Sequence, residues 1–160
     1  MAALPEPDLH WSDRLLLGYE PMDDEHRDFV VCVRALQQAA PADVLARLDD
    51  FARHAERHFG AENRWMEATD VPARQCHIDE HAAVLKSVGE VRALVAAGNT
   101  AIVQSLADEL VRWFPGHADY LDSALAAWMS KRRWNAQPVI VKRGILGDTA
   151  APAGGASRGT

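Results

Sequence analysis

A chain of 160 residues is one domain's worth of polypeptide, enough to bury a single sizeable core. Its composition, 48% hydrophobic and 25% charged, is that of a globular protein, and a net charge of −6 excludes a broad basic footprint for nucleic acid. No apolar run is long enough to span a bilayer. Residues 1–9, with Pro5, Glu6, Pro7 and Asp8, lack the basic and apolar regions of a secretory signal. Two reduced thiols, Cys32 and Cys76, in a cytoplasmic protein are therefore expected, with Cys76, beside His77, a small buried filler rather than a metal ligand.

An arm runs to about Tyr19, with Trp11 as its expected anchor and Gly18 and Pro21 as punctuation. Asp23 is placed to cap the first helix. There His26, Phe29, Val33 and Leu36 recur at steps of three and four, so they share one buried stripe. Pro41 breaks that helix and Asp43 can cap the second. Leu45, Leu48, Phe51, Ala55, His58, Glu62, Trp65 and Met66 then keep the same rhythm. After a break at residues 70–72, a third helix over residues 73–97 carries His77, His81, Val84, Leu85, Val88, Val91, Leu94 and Val95, with Gly98 suited to end it. A fourth helix begins near Thr100 and passes through Ile102, Leu106, Leu110, Trp113, His117, Leu121, Leu125 and Met129 to the basic run Lys131, Arg132 and Arg133. The expected fold is all-α: an antiparallel up-down four-helix bundle with an N-terminal extended arm. The domain is placed at residues 1–133, with the arm at 1–22. Residues 134–160 are expected to form a flexible, partly disordered tail, apolar at 138–146 and rich in Ala, Gly and Pro from 147 onward.

Five of the seven histidines fall on the apolar stripes, where an ionisable group costs a few kcal/mol or more unless paired or ligated. His58 and Glu62, and again His77 and His81, are four apart and project from one helix face each. His26, His58, Glu62, His77, His81, His117 and Asp122 together exceed what one ion takes, whereas two ions sharing carboxylates absorb all seven. Iron accepts both imidazole and carboxylate, and zinc meets the same ligand types. His117 and Asp122 are five apart, which a regular helix separates by about 140°. A widened π turn near His117 is therefore predicted, helped by Pro115 and Gly116 upstream.

These elements in order, Trp11 with Leu17-Gly18, Met22-Asp23 before His26, His58-Phe59-x-x-Glu62 ending in Met66, His77-x-x-x-His81, and Trp113 before His117 and Asp122, resemble the hemerythrin family, in particular its single-domain bacterial members. The resemblance covers about residues 11–129. It implies two unlike irons: one held by His77, His81 and His117, the other by His26 and His58 alone, with Glu62, Asp122 and a solvent-derived oxo or hydroxo group bridging them. The two-histidine iron would then hold an open position for O₂, with NO or small anions as further ligands of that position. Five neutral imidazoles and only two carboxylates differ from the carboxylate-rich di-iron oxidases, so reversible O₂ binding, in transport, storage or delivery, is the expected function and catalysis is not. An O₂ or NO sensor acting through a protein partner is the alternative, as is a di-iron ferroxidase, peroxidase or nitric-oxide-reducing enzyme.

The sequence departs from the family pattern at four positions. Asn63 stands where a second acidic residue is frequent, and is expected to act at the surface or just behind the metal ligands. Phe114 and Ala118 replace more usual residues at positions that would line the O₂ pocket, and Pro115 is unusual in that helix. His54, one turn before His58, is expected partly exposed or behind the ligands, and His10 solvated.

Overall fold

A computed structural model describes residues 8–136 of the chain. The main helices are α1 (Glu20–Gln37), α2 (Val44–Thr69), α3 (Arg74–Ala96) and α4 (Ile102–His117). Helix α4 passes through a π turn (Ala118–Asp122) into α5 (Ser123–Ala136), so the last three form one long rod. The principal packing runs in a ring, α1 on α2, α2 on α3, α3 on α4 and α4 on α1. This is the expected up-down four-helix bundle, and no strand occurs among the described residues. No described helix is long and apolar enough to cross a membrane. Helix α5 continues to Ala136, three residues past the expected domain end at 133, and the expectations for residues 137–160 lie outside the described residues.

The stripes read from the sequence are the ones buried. Phe29, Val33, Leu48, Phe51, Ala55 and Met66 are sealed from solvent, while Leu45 and Leu94 at the stripe edges are exposed. Val44 takes the inward position beside Leu45. The arm is anchored chiefly by Leu9 and Leu15, both buried, while Trp11 is half-buried and lies under Arg27, whose guanidinium carbon is 4.7 Å from the ring centroid.

Asp23 does not cap α1. The helix starts three residues earlier, with Pro21 inside its first turn. The buried Asp23 carboxylate instead reaches back and accepts the backbone N–H groups of Leu17 (2.7 Å) and Gly18 (3.0 Å). Gly18 has φ +82°, a conformation that glycine adopts without strain. Arm and helix are thereby locked at a fixed angle. Asp43 sits at the start of α2 but makes no side-chain cap. Cys32 is half-buried and Cys76 exposed, both as free thiols, so Cys76 is not the buried filler expected of it.

Two apolar clusters fill the bundle. The larger contains Phe29, Phe59, Phe114 and Ala118, and the smaller contains Met22, Met66, Leu125 and Ala126. On three of the four rods a polar residue interrupts the stripe between them: His26 on α1, Glu62 on α2 and Asp122 at the end of the π turn. The fold thus holds a polar layer between two dry ones.

Candidate metal centre

Each rod contributes to that layer from a position fixed by helical period. His58 and Glu62 lie one turn apart on α2, and His77 and His81 one turn apart on α3. The fourth rod needs more than period. Its predicted widened turn is present: Ser123 donates its backbone N–H to Ala118, five residues back, where a regular helix would reach four. The additional residue brings Asp122 round to His117, with Oδ1 3.1 Å from Nε2. Pro115, inside α4 just before, has no N–H to offer the regular ladder.

All seven residues singled out from the sequence are buried and converge. Glu62 divides its two oxygens between two groups of histidines. Oε1 lies 2.8 Å from His58 Nε2 and 3.6 Å from His26 Nε2, while Oε2 lies 3.3 Å from His81 Nε2 and 3.5 Å from His77 Nε2. Asp122 divides in the same sense. Oδ2 lies 3.1 Å from His26 Nε2, and Oδ1 lies 2.9 Å from His77 Nε2, besides its contact with His117. Two histidines therefore stand on one side of the carboxylate pair and three on the other.

Distances this short would suggest hydrogen bonds, but the alignment is often wrong. His26 Nδ1 and Nε2, Glu62 Oε2 and both Asp122 oxygens are buried with no hydrogen-bond partner. Each such group costs ~1–3 kcal/mol when left unpaired. Five orphaned atoms in one layer fit a site that metal ions complete. Glu62, His77, His81, His117 and Asp122 bring ligand atoms within 4.8 Å of one another, and so do His26, His58 and Glu62. One set can hold one ion, the other a second, with Glu62 common to both.

Electrostatics of the protein alone are consistent with this. Burial opposes a charged His26, yet Asp122 and Glu62 outweigh it and raise the imidazole to about 9. His77 behaves alike, with burial opposing and the same two carboxylates raising it to about 9. Burial disfavours an ionised Glu62, but His26, His58, His77 and His81 hold it well below the usual carboxylate range. Asp122 is likewise lowered, against burial and the charge of Glu62, by His117, His26 and His77. Two imidazolium cations thus balance two carboxylates before any metal enters.

An outer ring of partners orients the imidazoles. His81 Nδ1 lies 2.8 Å from Asn63 Oδ1, and His117 Nδ1 lies 2.7 Å from Glu80 Oε2. A carboxylate only accepts, so His117 donates its Nδ1–H to Glu80, which turns Nε2 inward toward the layer. Asn63 thus acts just behind the histidines, as its position after Glu62 suggested. His58 Nδ1 meets His54 Nε2 at 3.3 Å. His54 is buried, and burial with the neighbouring His58 lowers it to about 4. Arg57, 3.2 Å from both His54 and Glu25, disfavours a cation beside those two residues. Rings buttress the rest. Phe59 stacks on His81 at 4.1 Å between centroids, Trp113 on His117 at 4.2 Å, and Phe114 meets His26 edge-on at 5.2 Å.

Glu80 was not singled out from the sequence. It lies three residues after His77 on α3, but its partner is on α4, and pairing between helices leaves no mark in one helix's periodicity. His10 is exposed, as expected, although Asp8 (2.6 Å) and Arg34 (2.9 Å) flank its ring.

The family model described as hemerythrin HHE cation binding domain matches residues 17–129. The chain belongs to the hemerythrin family. A bacteriohemerythrin of Ralstonia nicotianae (strain ATCC BAA-1114 / GMI1000) is 40% identical over 126 residues, 79% of this chain and 92% of that one. A second bacteriohemerythrin, from Stenotrophomonas maltophilia (strain R551-3), is 30% identical over 125 residues, covering 74% of this chain and 79% of its own length. No solved structure gives a significant match. The hemerythrin match spans the four rods that meet at the polar layer, from Leu17 at the end of the arm to Met129 on α5.

Proposed function

We propose that this hemerythrin-family protein binds O₂ reversibly at a non-haem di-iron centre, as a cytoplasmic carrier, store or local supplier. The observation that carries the reading is the division of the two buried carboxylates, each with one oxygen toward two histidines and the other toward three. His77, His81 and His117 would hold one iron and His26 and His58 the other, with Glu62 and Asp122 spanning the pair. A pair of ferrous ions, held there, would supply two reducing electrons for O₂.

The protein's own residues favour binding over turnover. On the two-histidine side the phenyl rings beside His26 and His58 are Phe114, Phe29 and Phe59, at 5.2, 6.2 and 5.2 Å between centroids, with the imidazole of His54 behind His58 at 5.3 Å. Phe29, Phe59 and Phe114 are fully buried, so they exclude water and offer no proton to a bound ligand. A small diatomic such as NO, or a small anion, would meet the same apolar walls.

Anaerobically reduced, iron-loaded protein tests this. Exposure to O₂ should give a stable visible charge-transfer band that disappears when O₂ is removed. Rapid irreversible oxidation, or steady turnover with added reductant, would overturn the reading in favour of an enzyme.

A further inference from the structure

The two sides of the carboxylate pair differ in more than their number of histidines. On the three-histidine side, the outer nitrogen of His117 faces an anion, Glu80 Oε2 at 2.7 Å, and that of His81 faces a neutral amide oxygen, Asn63 Oδ1 at 2.8 Å. On the two-histidine side no carboxylate among the described residues stands at hydrogen-bond distance from either outer nitrogen. His26 Nδ1 has no partner, and His58 Nδ1 faces another imidazole, His54 Nε2, at 3.3 Å. Glu80 itself is 47% exposed, so the bundle does not depend on it for core packing.

We propose that Glu80 is a positioning residue that makes the three-histidine iron the harder of the two to reduce. The inference rests on the di-iron reading above. A carboxylate accepting the Nδ1 proton of a metal-ligating imidazole raises the basicity of its Nε2, and its charge favours the higher oxidation state of the ion. His117 alone among the five histidines has an anion as its partner on Nδ1 in the hydrogen bonds of the described residues. Reduction of the diferric pair by two single electrons, delivered from an electrode through a small mediator, would then have a fixed order. The first electron converts the two-histidine ion from ferric to ferrous, and the second converts the three-histidine ion. Glu80 thereby keeps the open position on the ion that turns ferrous first.

Full-length protein loaded with iron is compared by iron count and by mediated spectroelectrochemistry with two variants. Glu80→Gln keeps an oxygen acceptor for His117 but removes the charge. It should retain two irons and shift only the more negative reduction step to a more positive potential. Asn63→Asp places a charge against His81 and should shift the same step the opposite way. Mössbauer spectra of the half-reduced wild type should show one ferrous and one ferric ion, and Glu80→Gln should blur that assignment by narrowing the gap. Unmoved potentials in Glu80→Gln, or movement of the first step alone, would overturn the inference. Should Glu80→Gln lose its iron, Asn63→Asp decides alone, a negative shift supporting the proposal and no shift overturning it. A wild type without two irons would instead overturn the di-iron reading, so the two failures are distinct.

Discussion

Raising the pH of the metal-free protein should destabilise it, whereas raising the pH of the metal-loaded protein should tighten metal binding. In the metal-free fold, burial opposes charge on His26 and His77, but Glu62 and Asp122 prevail and each imidazole moves from 6.5 to about 9. A rise of that size stabilises each charged form by about 3 kcal/mol. For a group raised in the folded state, that stability is fully present below the unfolded value of 6.5 and is lost as pH climbs through 9. The lowered carboxylates work in the other direction. Their contribution is present above ~4 and lost on acidification. Burial keeps His54 neutral down to about 4, so its contribution is also lost as pH falls below 6.5; metal-free protein should therefore be most stable near pH 6.5 and lose about 3–6 kcal/mol between pH 6.5 and 9.5. Metal needs neutral imidazoles, so loading near pH 7 should release about two protons per chain. Urea unfolding of metal-free protein across this range, with proton release followed by an indicator dye during loading, checks both. A stability that is flat or rises from pH 6.5 to 9, or loading without proton release, would refute the reasoning.

Three further outcomes follow from the same geometry. Glu62→Ala removes the carboxylate shared by both histidine groups and should reduce bound metal from two ions to at most one, counted by native mass spectrometry. Phe114→Ala opens a cavity against Phe29, which stacks on it at 4.4 Å, and against His26. It should cost about 3–5 kcal/mol in chemical unfolding and shorten the lifetime of the O₂-dependent band by admitting water. Deleting Asp119 returns the π turn to regular period, turning Asp122 by about 100° away from its present direction. Metal content should fall while circular dichroism still reports a helical bundle; full metal retention would show that the widened turn is dispensable.

The sequence was most informative where chemistry and period coincide. His58 with Glu62 and His77 with His81 repeat at one helical turn on apolar stripes, and the structure brings both pairs to one layer. The five-residue step from His117 to Asp122 was legible because it broke the period, and the π turn answers it. Helix starts were less legible. Asp23 looked like a cap, but its carboxylate holds Leu17 and Gly18 of the arm, a contact decided by how the arm folds back. Glu80 and the buried state of His54 depend on neighbours from other helices or on the crowding behind His58, which no single stripe encodes. Cys76 lies one residue from His77 yet faces solvent, since consecutive residues on a helix point about 100° apart.

Metal and gas stoichiometry on one sample tests the central claim most directly. Reduced protein prepared with iron should contain two irons per chain and take up one O₂ per chain, released again under vacuum. One metal ion per chain, a site filled by zinc in preference to iron, or O₂ uptake that cannot be reversed would contradict it.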